Sequence, residues 1–244
     1  GSLGLGHLAW ETSNAAMRSL LPQGFTMPAN GILPLPLGEG AASAVAAVRA
    51  AHRVAANFAH TNRFFLARMM HQAVAEVAGE APMQLLWDSP HNLMWDDEPG
   101  LVIHRKGSTP ARGVEGMVGT AFPWGEPVIV PGSMGAPSFI LRGLGKPEAL
   151  YSACHGAGRA LARGEAAKGH DAELDVFLER FRVVTPVDPR QIRGRADLIE
   201  AWRADLKQEG PFAYKQIGPV IETLRRAEVA EPVVELHPLL TVKG

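Results

Sequence analysis

The chain has 244 residues, 46% of them hydrophobic, and its 24 lysines and arginines nearly balance its 25 aspartates and glutamates to give a formal net charge of −1. Such a chain can bury a sizeable core in one large domain, and its near-neutral charge excludes a protein that binds nucleic acid over its whole surface, so any RNA contact must be local. It contains no run of about 18 consecutive apolar residues, so we expect no membrane partner.

The chain contains a single cysteine, Cys154, which excludes an intrachain disulfide. No apolar export signal with a basic front is visible either. Both observations favour a reducing compartment, and we expect the protein in the cytoplasm.

The first third of the chain is predicted to form a loop and then a helix. Residues 24–40 are rich in proline and glycine, which indicates an irregular loop. Residues 41–79 carry apolar residues at helical spacing without proline, which predicts one long helix or two abutting helices. The histidines of this segment, His52, His60 and His71, do not share a spacing of three or four residues. A metal site on one helix face is therefore disfavoured, and we interpret them as packing or surface residues.

Short strands are predicted in the middle of the chain, over residues 82–141, where glycine and proline interrupt β-type runs. The runs are Met83-Gln84-Leu85-Leu86-Trp87, Leu101-Val102-Ile103 and Val128-Ile129-Val130. Further on, amphipathic helices with charged outer faces are predicted over residues 173–182, 195–207 and 219–227, and a late strand over residues 231–239. The elements follow in mixed order rather than in a βαβ pattern, and no internal repeat is visible. The sequence therefore predicts an α+β fold.

The most informative motif is Tyr151-Ser152-Ala153-Cys154-His155-Gly156-Ala157-Gly158-Arg159. It sets His155 against glycines, which let the backbone approach a ligand closely. Residues 160–163 are predicted to begin a helix whose amino end attracts anions. The motif indicates a histidine that handles phosphate, with a helix start that happens to contain His and Cys as the structural alternative.

Further segments accompany this motif in a definite order along the chain. They are Gly1-Ser2-Leu3-Gly4-Leu5-Gly6-His7, Ala55-Ala56-Asn57-Phe58-Ala59, His91-Asn92, His104-Arg105-Lys106-Gly107-Ser108-Thr109-Pro110, Pro131-Gly132-Ser133-Met134-Gly135-Ala136-Pro137-Ser138-Phe139-Ile140-Leu141-Arg142-Gly143, Ala213-Tyr214-Lys215 and Val242-Lys243-Gly244. In their amino-acid sequences and in their order along the chain, these segments resemble the RtcB family of RNA ligases, over nearly all 244 residues. The resemblance implies a complex mixed-sheet RtcB-like fold with flanking helices, in a single catalytic domain over residues 1–244 that includes residues 41–79 as a helical segment.

The resemblance implies a GTP-dependent RNA ligase in which His155 accepts the nucleotide. A neutral imidazole offers a nitrogen lone pair to the α-phosphorus of GTP, and pyrophosphate leaves. GMP then passes to an RNA 3′-phosphate, and a 5′-hydroxyl attacks the activated end and releases GMP. A 2′,3′-cyclic phosphate is first opened to the 3′-phosphate.

The resemblance also assigns binding roles. His91 takes the place of a metal-binding histidine, for which Mn²⁺ is an acceptable partner, and Asn92 that of a nucleotide-contacting asparagine. The implied GTP and GMP site consists of His91, Asn92, Pro131, Gly132, Ser133, Met134, Ser138, His155, Gly156, Ala157, Gly158, Tyr214 over the base, and Lys243. The structural alternatives are a turn at His91 and at Pro-Gly-Ser, a core tyrosine and a solvated terminal lysine.

Two arginines are expected to contact RNA. Arg159 and Arg163, one helical turn apart, would present guanidinium groups on one face to RNA phosphates. Arg105, Lys106 and Arg142 are expected to extend that patch. The alternative for all of them is a solvated, charged face.

The family site implied by the resemblance holds two Mn²⁺ ions, with GTP as cosubstrate and an archease-type activator as a protein partner. Its RNA partners carry 3′-phosphate or 2′,3′-cyclic phosphate ends and 5′-hydroxyl ends. Of the family's metal ligands only His91 is found here, and one imidazole cannot hold two divalent ions. Leu3 stands where the family motif usually has arginine, which removes a phosphate contact.

We therefore expect this chain to be the carboxy-terminal portion of the catalytic domain, with a fold incomplete at the amino-terminal side and the full-length protein as the active species. The alternative function is a truncated or divergent guanylate- or RNA-binding module without ligase activity. A third reading is a metal-dependent phosphodiesterase or nucleotidyltransferase that uses the same histidine.

Overall fold

The computed structural model describes residues 17–29, 39–80, 82–98 and 101–243, together with residues 7, 11, 12, 14 and 15. They belong to two units, residues 1–88 and residues 89–244, which are treated separately below. Leu3 and part of the loop predicted over residues 24–40 lie outside the described residues.

The first unit is dominated by one helix, α1 (Ala42–Ala78), which a 3₁₀ turn precedes at Glu39–Ala41. The prediction of one long helix is thereby confirmed. It ends at Gly79, whose φ of +84° favours glycine and whose N–H donates to the Ala75 carbonyl at 2.9 Å. The described residues between 21 and 29 form turns and irregular backbone, as the loop prediction requires.

His60 of α1 has a partner within this unit. Its Nδ1 pairs with the Asp88 carboxylate, to which Arg63 also donates from Nε at 2.7 Å. Burial raises the pKa of the Asp88 carboxyl, but the hydrogen bonds from Arg63 and His60 outweigh burial and leave that pKa below its ordinary value. His60 is thus part of an ion-paired cluster.

In the described part of the second unit, short strands form four small sheets. The strands are β1 (Asn92–Glu98), β2 (Leu101–Lys106), β3 (Ser108–Pro110), β4 (Pro127–Val130), β5 (Ser138–Gly143), β6 (Ser152–Cys154), β7 (Arg182–Val184), β8 (Ala230–Leu236) and β9 (Leu240–Val242). Antiparallel pairing joins β1 to β2, β3 to β6, and β4, β5 and β8 in that order, whereas β7 and β9 run parallel. With the helices, this arrangement is a mixed α+β structure, as predicted.

The helices of the second unit are α2 (Arg163–Ala166), α3 (Asp171–Arg180), α4 (Ala196–Gln208) and α5 (Ile217–Arg226). Three of them lie within a few residues of their predicted positions. The helix predicted from residue 219 begins two residues earlier, at Ile217, because Pro219 fits in the first turn, where no intrahelical N–H bond is needed. Among the described residues, none of the helices combines the length and the apolar character that a membrane crossing needs.

The strand predicted over residues 83–87 is wrong. Residues 82–90 have no strand structure, and Met83, Leu85 and Leu86 are exposed. An apolar run forms a strand only where a second strand pairs with it, and this run pairs with none. The strand predicted over residues 231–239 spans Ala230–Leu236 and ends before Pro238, which cannot donate to a ladder.

A small apolar core joins β4, β5, β6, β8 and α5. Its fully buried members include Val128, Val130 and Leu141, and α5 adds Ile217, Ile221 and Leu224 at helical spacing. Among the described residues, the cluster consists of Ala111, Val128, Val130, Leu141, Ala153, Ile217, Ile221, Leu224 and Ala230. Because this core fixes β4, β6 and α5 against each other, it also fixes the loops that leave them.

Candidate active site

Three loops of the second unit surround a cleft of about 750 Å³. They follow β4, follow β6 and precede α5. The sequence-predicted residues that line it are Pro131, Gly132, Ser133, Met134, Ser138, His155, Gly156, Ala157, Gly158, Arg159, Arg163 and Tyr214. The structure therefore brings most of the predicted site together around one cavity.

His155 lies at the end of β6, on the wall of the cleft. Its backbone N–H donates to the Gly107 carbonyl at 3.2 Å. Its ring stacks on the ring of His91, with ring centres 4.2 Å apart and planes within 9°. The Nδ1 atom of His155 is buried and has no hydrogen-bond partner among the described residues. A ligand in the cleft can therefore meet only the other ring nitrogen, Nε2.

Gly107 joins the segments that carry the two histidines. Its N–H donates to the His91 carbonyl at 2.8 Å and to Asn92 Oδ1 at 3.1 Å, while its carbonyl accepts from His155. Its φ of +68° favours glycine, and a Cβ there would lie 3.7 Å from the His155 ring. His155 is part of the cleft wall, whereas His91 and Asn92 are not.

The loop after β4 folds back on itself through Gly132 and Ser138. The Gly132 N–H donates to Ser138 Oγ at 3.0 Å. A Cβ at Gly132 would lie 2.2 Å from the Pro137 carbonyl oxygen, so only glycine fits there. Because the Ser138 hydroxyl accepts within the loop, its own proton remains available to a ligand.

The loop after β6 leaves the room that a ligand needs. A Cβ on Gly158 would meet nothing within 4 Å, and one on Gly156 would meet only the Pro131 carbonyl oxygen at 3.5 Å. Cys154, just before His155, is half-buried, and burial raises the pKa of its thiol. Cys154 therefore stays protonated, and the imidazole is the better nucleophile of this pair.

Arg159 is not helical, contrary to the sequence-based expectation. Arg159 forms an isolated antiparallel bridge with Tyr214, in which Lys215 N–H donates to the Gly158 carbonyl at 3.0 Å and Ala160 N–H donates to the Ala213 carbonyl at 2.8 Å. The following helix, α2, begins only at Arg163 and has four residues. The Glu165 carboxylate also accepts from Ala162 N–H at 3.0 Å, so the amino end of α2 already holds an anion.

Arg159 and Arg163 instead converge on one carboxylate. Glu209 Oε1 lies 3.6 Å from Arg159 Nη1 and 3.5 Å from Arg163 Nε. The Tyr214 hydroxyl donates to Glu209 and accepts from Arg159 Nη1 at 2.9 Å, and the Arg159 guanidinium lies over the Tyr214 ring at 4.8 Å. Burial, and then the bond to Glu209, raise the pKa of Tyr214. This face of the cleft is therefore a network in which both arginines share one carboxylate, which offsets one of their two positive charges.

Other predicted residues lie elsewhere. Lys243 is not in the wall of this cleft, although Thr241 of β9 is, and its Nζ lies 2.6 Å from the Asp205 carbonyl of α4. Arg105 is only 5% exposed, so the expectation that it presents a charge to RNA is wrong. Arg142 is ion-paired with Glu231, whereas Lys106 is exposed.

Sequence reasoning missed several residues of the cleft. They are Ala136, Glu209, Pro211, Lys215, Gln216, Ile217, Pro238 and Thr241. Lys215 belongs to the segment Ala213-Tyr214-Lys215 that the sequence analysis singled out, but no binding role was assigned to it. Glu209 had no local signal, since an acidic residue after an amphipathic helix is ordinarily solvated.

The described residues offer room for a ligand but no cluster that could hold a metal pair. The cleft volume and the open space at Gly158 provide that room. In contrast, no group of three or more His, Cys, Asp or Glu side chains among the described residues is arranged to hold a metal ion. A site for two Mn²⁺ ions therefore does not fit the part of the chain that the structure describes.

Comparison with known proteins gives a consistent result. The family model described as tRNA-splicing ligase RtcB matches residues 1–244. The RNA-splicing ligase RtcB of Mycobacterium bovis is 31% identical over 256 residues, which cover 100% of this chain and 55% of that protein. The tRNA-splicing ligases RtcB of Archaeoglobus fulgidus and Pyrococcus furiosus are 30% and 29% identical, again over 100% of this chain, but over 51% and 25% of their own lengths. The chain spans about half, or less, of these relatives.

Proposed function

This chain belongs to the RtcB family of tRNA-splicing ligases, and we propose that it supplies the nucleotide-accepting part of a GTP-dependent RNA ligase. In the proposed reaction, RNA 3′-phosphate or 2′,3′-cyclic phosphate ends are joined to 5′-hydroxyl ends through a guanylylated His155. The names of the relatives, RNA-splicing and tRNA-splicing ligases, support RNA as the substrate class. The cytoplasm is the compartment we propose, since the lone Cys154 carries a free thiol.

The observation that carries the proposal is the position of His155. It lies on the wall of the cleft, its Nδ1 is buried, and its ring is held against His91. An imidazole fixed in this way directs a single nitrogen, Nε2, at a ligand. Nucleophilic catalysis requires this geometry, a nucleophile held in one orientation beside a bound phosphate.

In the first half-reaction we propose, the Nε2 lone pair attacks the α-phosphorus of GTP. The new N–P bond forms as the bond from that phosphorus to the bridging oxygen breaks, and pyrophosphate leaves with the electron pair. We propose that the backbone N–H groups of Ala157 and Gly158 and the hydroxyls of Ser133 and Ser138, all in the cleft wall, donate to phosphate oxygens. Tyr214 keeps one ring face for the base, because Arg159 covers the other.

In the second half-reaction, an RNA 3′-phosphate oxygen attacks the phosphorus on His155 and frees the imidazole. The 5′-hydroxyl of the second RNA then attacks the activated 3′-phosphate, and GMP leaves. Two Mn²⁺ ions and an archease-type activator remain expectations from the family resemblance, and no step is assigned to them. Because the described residues hold no metal cluster, we propose that ligation requires the length of the family protein that this chain does not span.

The test is covalent capture of guanylate. The full-length protein and this chain are incubated with GTP and a divalent metal, and the modified residue is located by mass spectrometry. We expect guanylate on His155 of the full-length protein and none in His155→Ala. His237→Ala is the matched control, because that side chain is 77% exposed and outside the cleft wall. Guanylate on a lysine, or its persistence in His155→Ala, would overturn the proposal.

A guanylate- or RNA-binding module is the second candidate, and one observation favours it. Glu209 occupies both arginines of the cleft, as in a site that is not engaged in phosphate transfer. Calorimetry and mass spectrometry together separate the candidates, since a module binds GTP reversibly and leaves no guanylate on His155. Binding without covalent capture in the full-length protein would favour the module.

A further inference from the structure

Arg105 is a charged side chain in the interior of the second unit. It lies on β2 and is 5% exposed. Its Nε donates to Ser152 Oγ at 2.7 Å, its Nη2 donates to the Leu150 carbonyl at 3.2 Å, and its guanidinium lies 5.4 Å from the centre of a Trp95 ring. Because a buried guanidinium is unfavourable unless partners satisfy it, these contacts define where the side chain can be.

The backbone that Arg105 binds is strained. Leu150 and Tyr151 have φ values of +51° and +50°, although neither is glycine. Such a left-handed conformation is unfavourable for residues other than glycine. It persists only where neighbouring contacts enforce it. The Leu150 carbonyl accepts from Arg105 and, at 2.7 Å, from the Ser152 hydroxyl, so Arg105 is one of the groups that enforce it.

This turn leads directly into the strand that ends at His155. Residues Ser152–Cys154 form β6, which pairs with β3, and His155 follows. In the chain, Arg105 lies two residues before Gly107. The backbone of Gly107 hydrogen-bonds the backbone of both His91 and His155. Arg105 therefore links the hairpin that carries His91 to the strand that delivers His155.

We propose that Arg105 is a positioning residue for His155. Its forked guanidinium fixes the Leu150–Tyr151 turn and thereby the stack of His155 on His91. Arg105 is not part of the cleft wall, so it acts through His155 and not on the nucleotide. The catalytic consequence rests on the proposed guanylylation, whereas the structural consequence does not.

The structural consequence is tested first, on this chain without GTP. Imidazole signals are recorded by NMR with isotope-labelled histidine and assigned with His155→Gln and His91→Gln. Arg105→Lys keeps the positive charge but loses the guanidinium that donates to two acceptors at once. We expect this variant to shift the signals of His155 and His91 and to leave the signal of His237 in place. The matched control is Arg142→Lys, whose arginine binds the half-exposed Glu231. Unchanged His155 and His91 signals in a folded Arg105→Lys protein would overturn the proposal.

Two further variants distinguish a positioning role of Arg105 from a general role in folding. Ser152→Ala removes one acceptor of Arg105 and leaves the arginine, and we expect a smaller shift at the same two histidines. In Arg105→Ala, free guanidinium at a concentration far below that which unfolds the protein should restore the wild-type signals of His155 and His91. Sodium at equal ionic strength should not restore them. A Ser152→Ala spectrum changed throughout, or equal effects of both salts, would show that Arg105 only supports general folding.

The catalytic consequence is then measured on the full-length protein. A misplaced nucleophile slows the chemical step by about 100-fold, so the guanylylation rate of Arg105→Lys should fall by that order while GTP affinity stays close to wild type. Equal losses of rate and affinity would contradict a positioning role. If the wild-type protein is not guanylylated, the proposed function fails, and the NMR result still decides the role of Arg105.

Discussion

The rings of His91 and His155 stack with their centres 4.2 Å apart and their planes within 9°. The two residues are far apart in the sequence, and Gly107 brings them together by binding the backbone of each. The ring of His155, the proposed nucleophile, is therefore packed against the ring of His91, to which the family resemblance assigns metal binding. A disturbance at Gly107 should reach both residues.

Gly107→Ala should destabilise the protein by about 1–2 kcal/mol, because its φ of +68° is unfavourable for alanine. The added methyl group would lie 3.7 Å from the His155 ring, which is ordinary contact, so strain rather than a clash is the cause. Urea unfolding measures the effect. Gly158→Ala is the control, since its site is open and its φ is not positive, and stability there should be unchanged or raised by up to about 1 kcal/mol. Equal losses in both variants would refute this account.

Mn²⁺ should bind this chain weakly, because the described residues contain no group of three or more ligands for a metal ion. Titration calorimetry with MnCl₂ measures the affinity, and His91→Ala shows whether the one histidine matters. Tight binding of two ions per chain would contradict this prediction.

The sequence predicted the parts of this fold that depend on local pattern. Helix α1 and the helices α3, α4 and α5 follow from apolar residues at helical spacing, and β2 and β4 from short apolar runs. The errors have one cause, which is pairing between distant segments. Residues 83–87 find no partner strand, and Arg159 is held extended by residues 213–215.

The same limit applies to the candidate site. His155 and the glycines around it could be identified because their motif is contiguous, whereas Glu209 enters the cleft only through contacts with Arg159, Arg163 and Tyr214. No pattern near Glu209 marks it. The inward direction of Arg105 was equally hidden, because a charged residue on a short strand is ordinarily exposed.

The Tyr214 phenol should ionise only above its ordinary pKa of about 10. Burial is the largest cause of the raised pKa, and the carboxylate of Glu209 adds to it. The pKa of Tyr214 is higher in the folded state than in the unfolded state. Its contribution to the free energy of unfolding is therefore fully present below pH about 10 and is lost as the pH rises through the folded-state pKa. Ultraviolet titration follows the phenolate, and Tyr214→Phe identifies its share of the two tyrosines. In Glu209→Gln the midpoint should fall only part of the way, since burial remains, and no fall would show that the carboxylate does not act on this phenol.

Glu209→Gln should strengthen the binding of polyphosphate to the cleft. The carboxylate pairs with Arg159 and Arg163, offsets one of their two positive charges and repels an incoming phosphate, whereas glutamine can still accept from the Tyr214 hydroxyl. A charge-assisted contact that becomes available to the ligand is worth about 1.5 kcal/mol or more, or roughly a factor of ten in affinity. Calorimetry with GTP and with inorganic triphosphate at two salt concentrations should show tighter binding and a steeper salt dependence. Glu165→Gln is the matched control, because that carboxylate binds only the start of α2 among the contacts described and lies outside the cleft wall. Weaker binding in Glu209→Gln, with Glu165→Gln unchanged, would mean that Glu209 holds the two arginines in position for phosphate instead of competing for them.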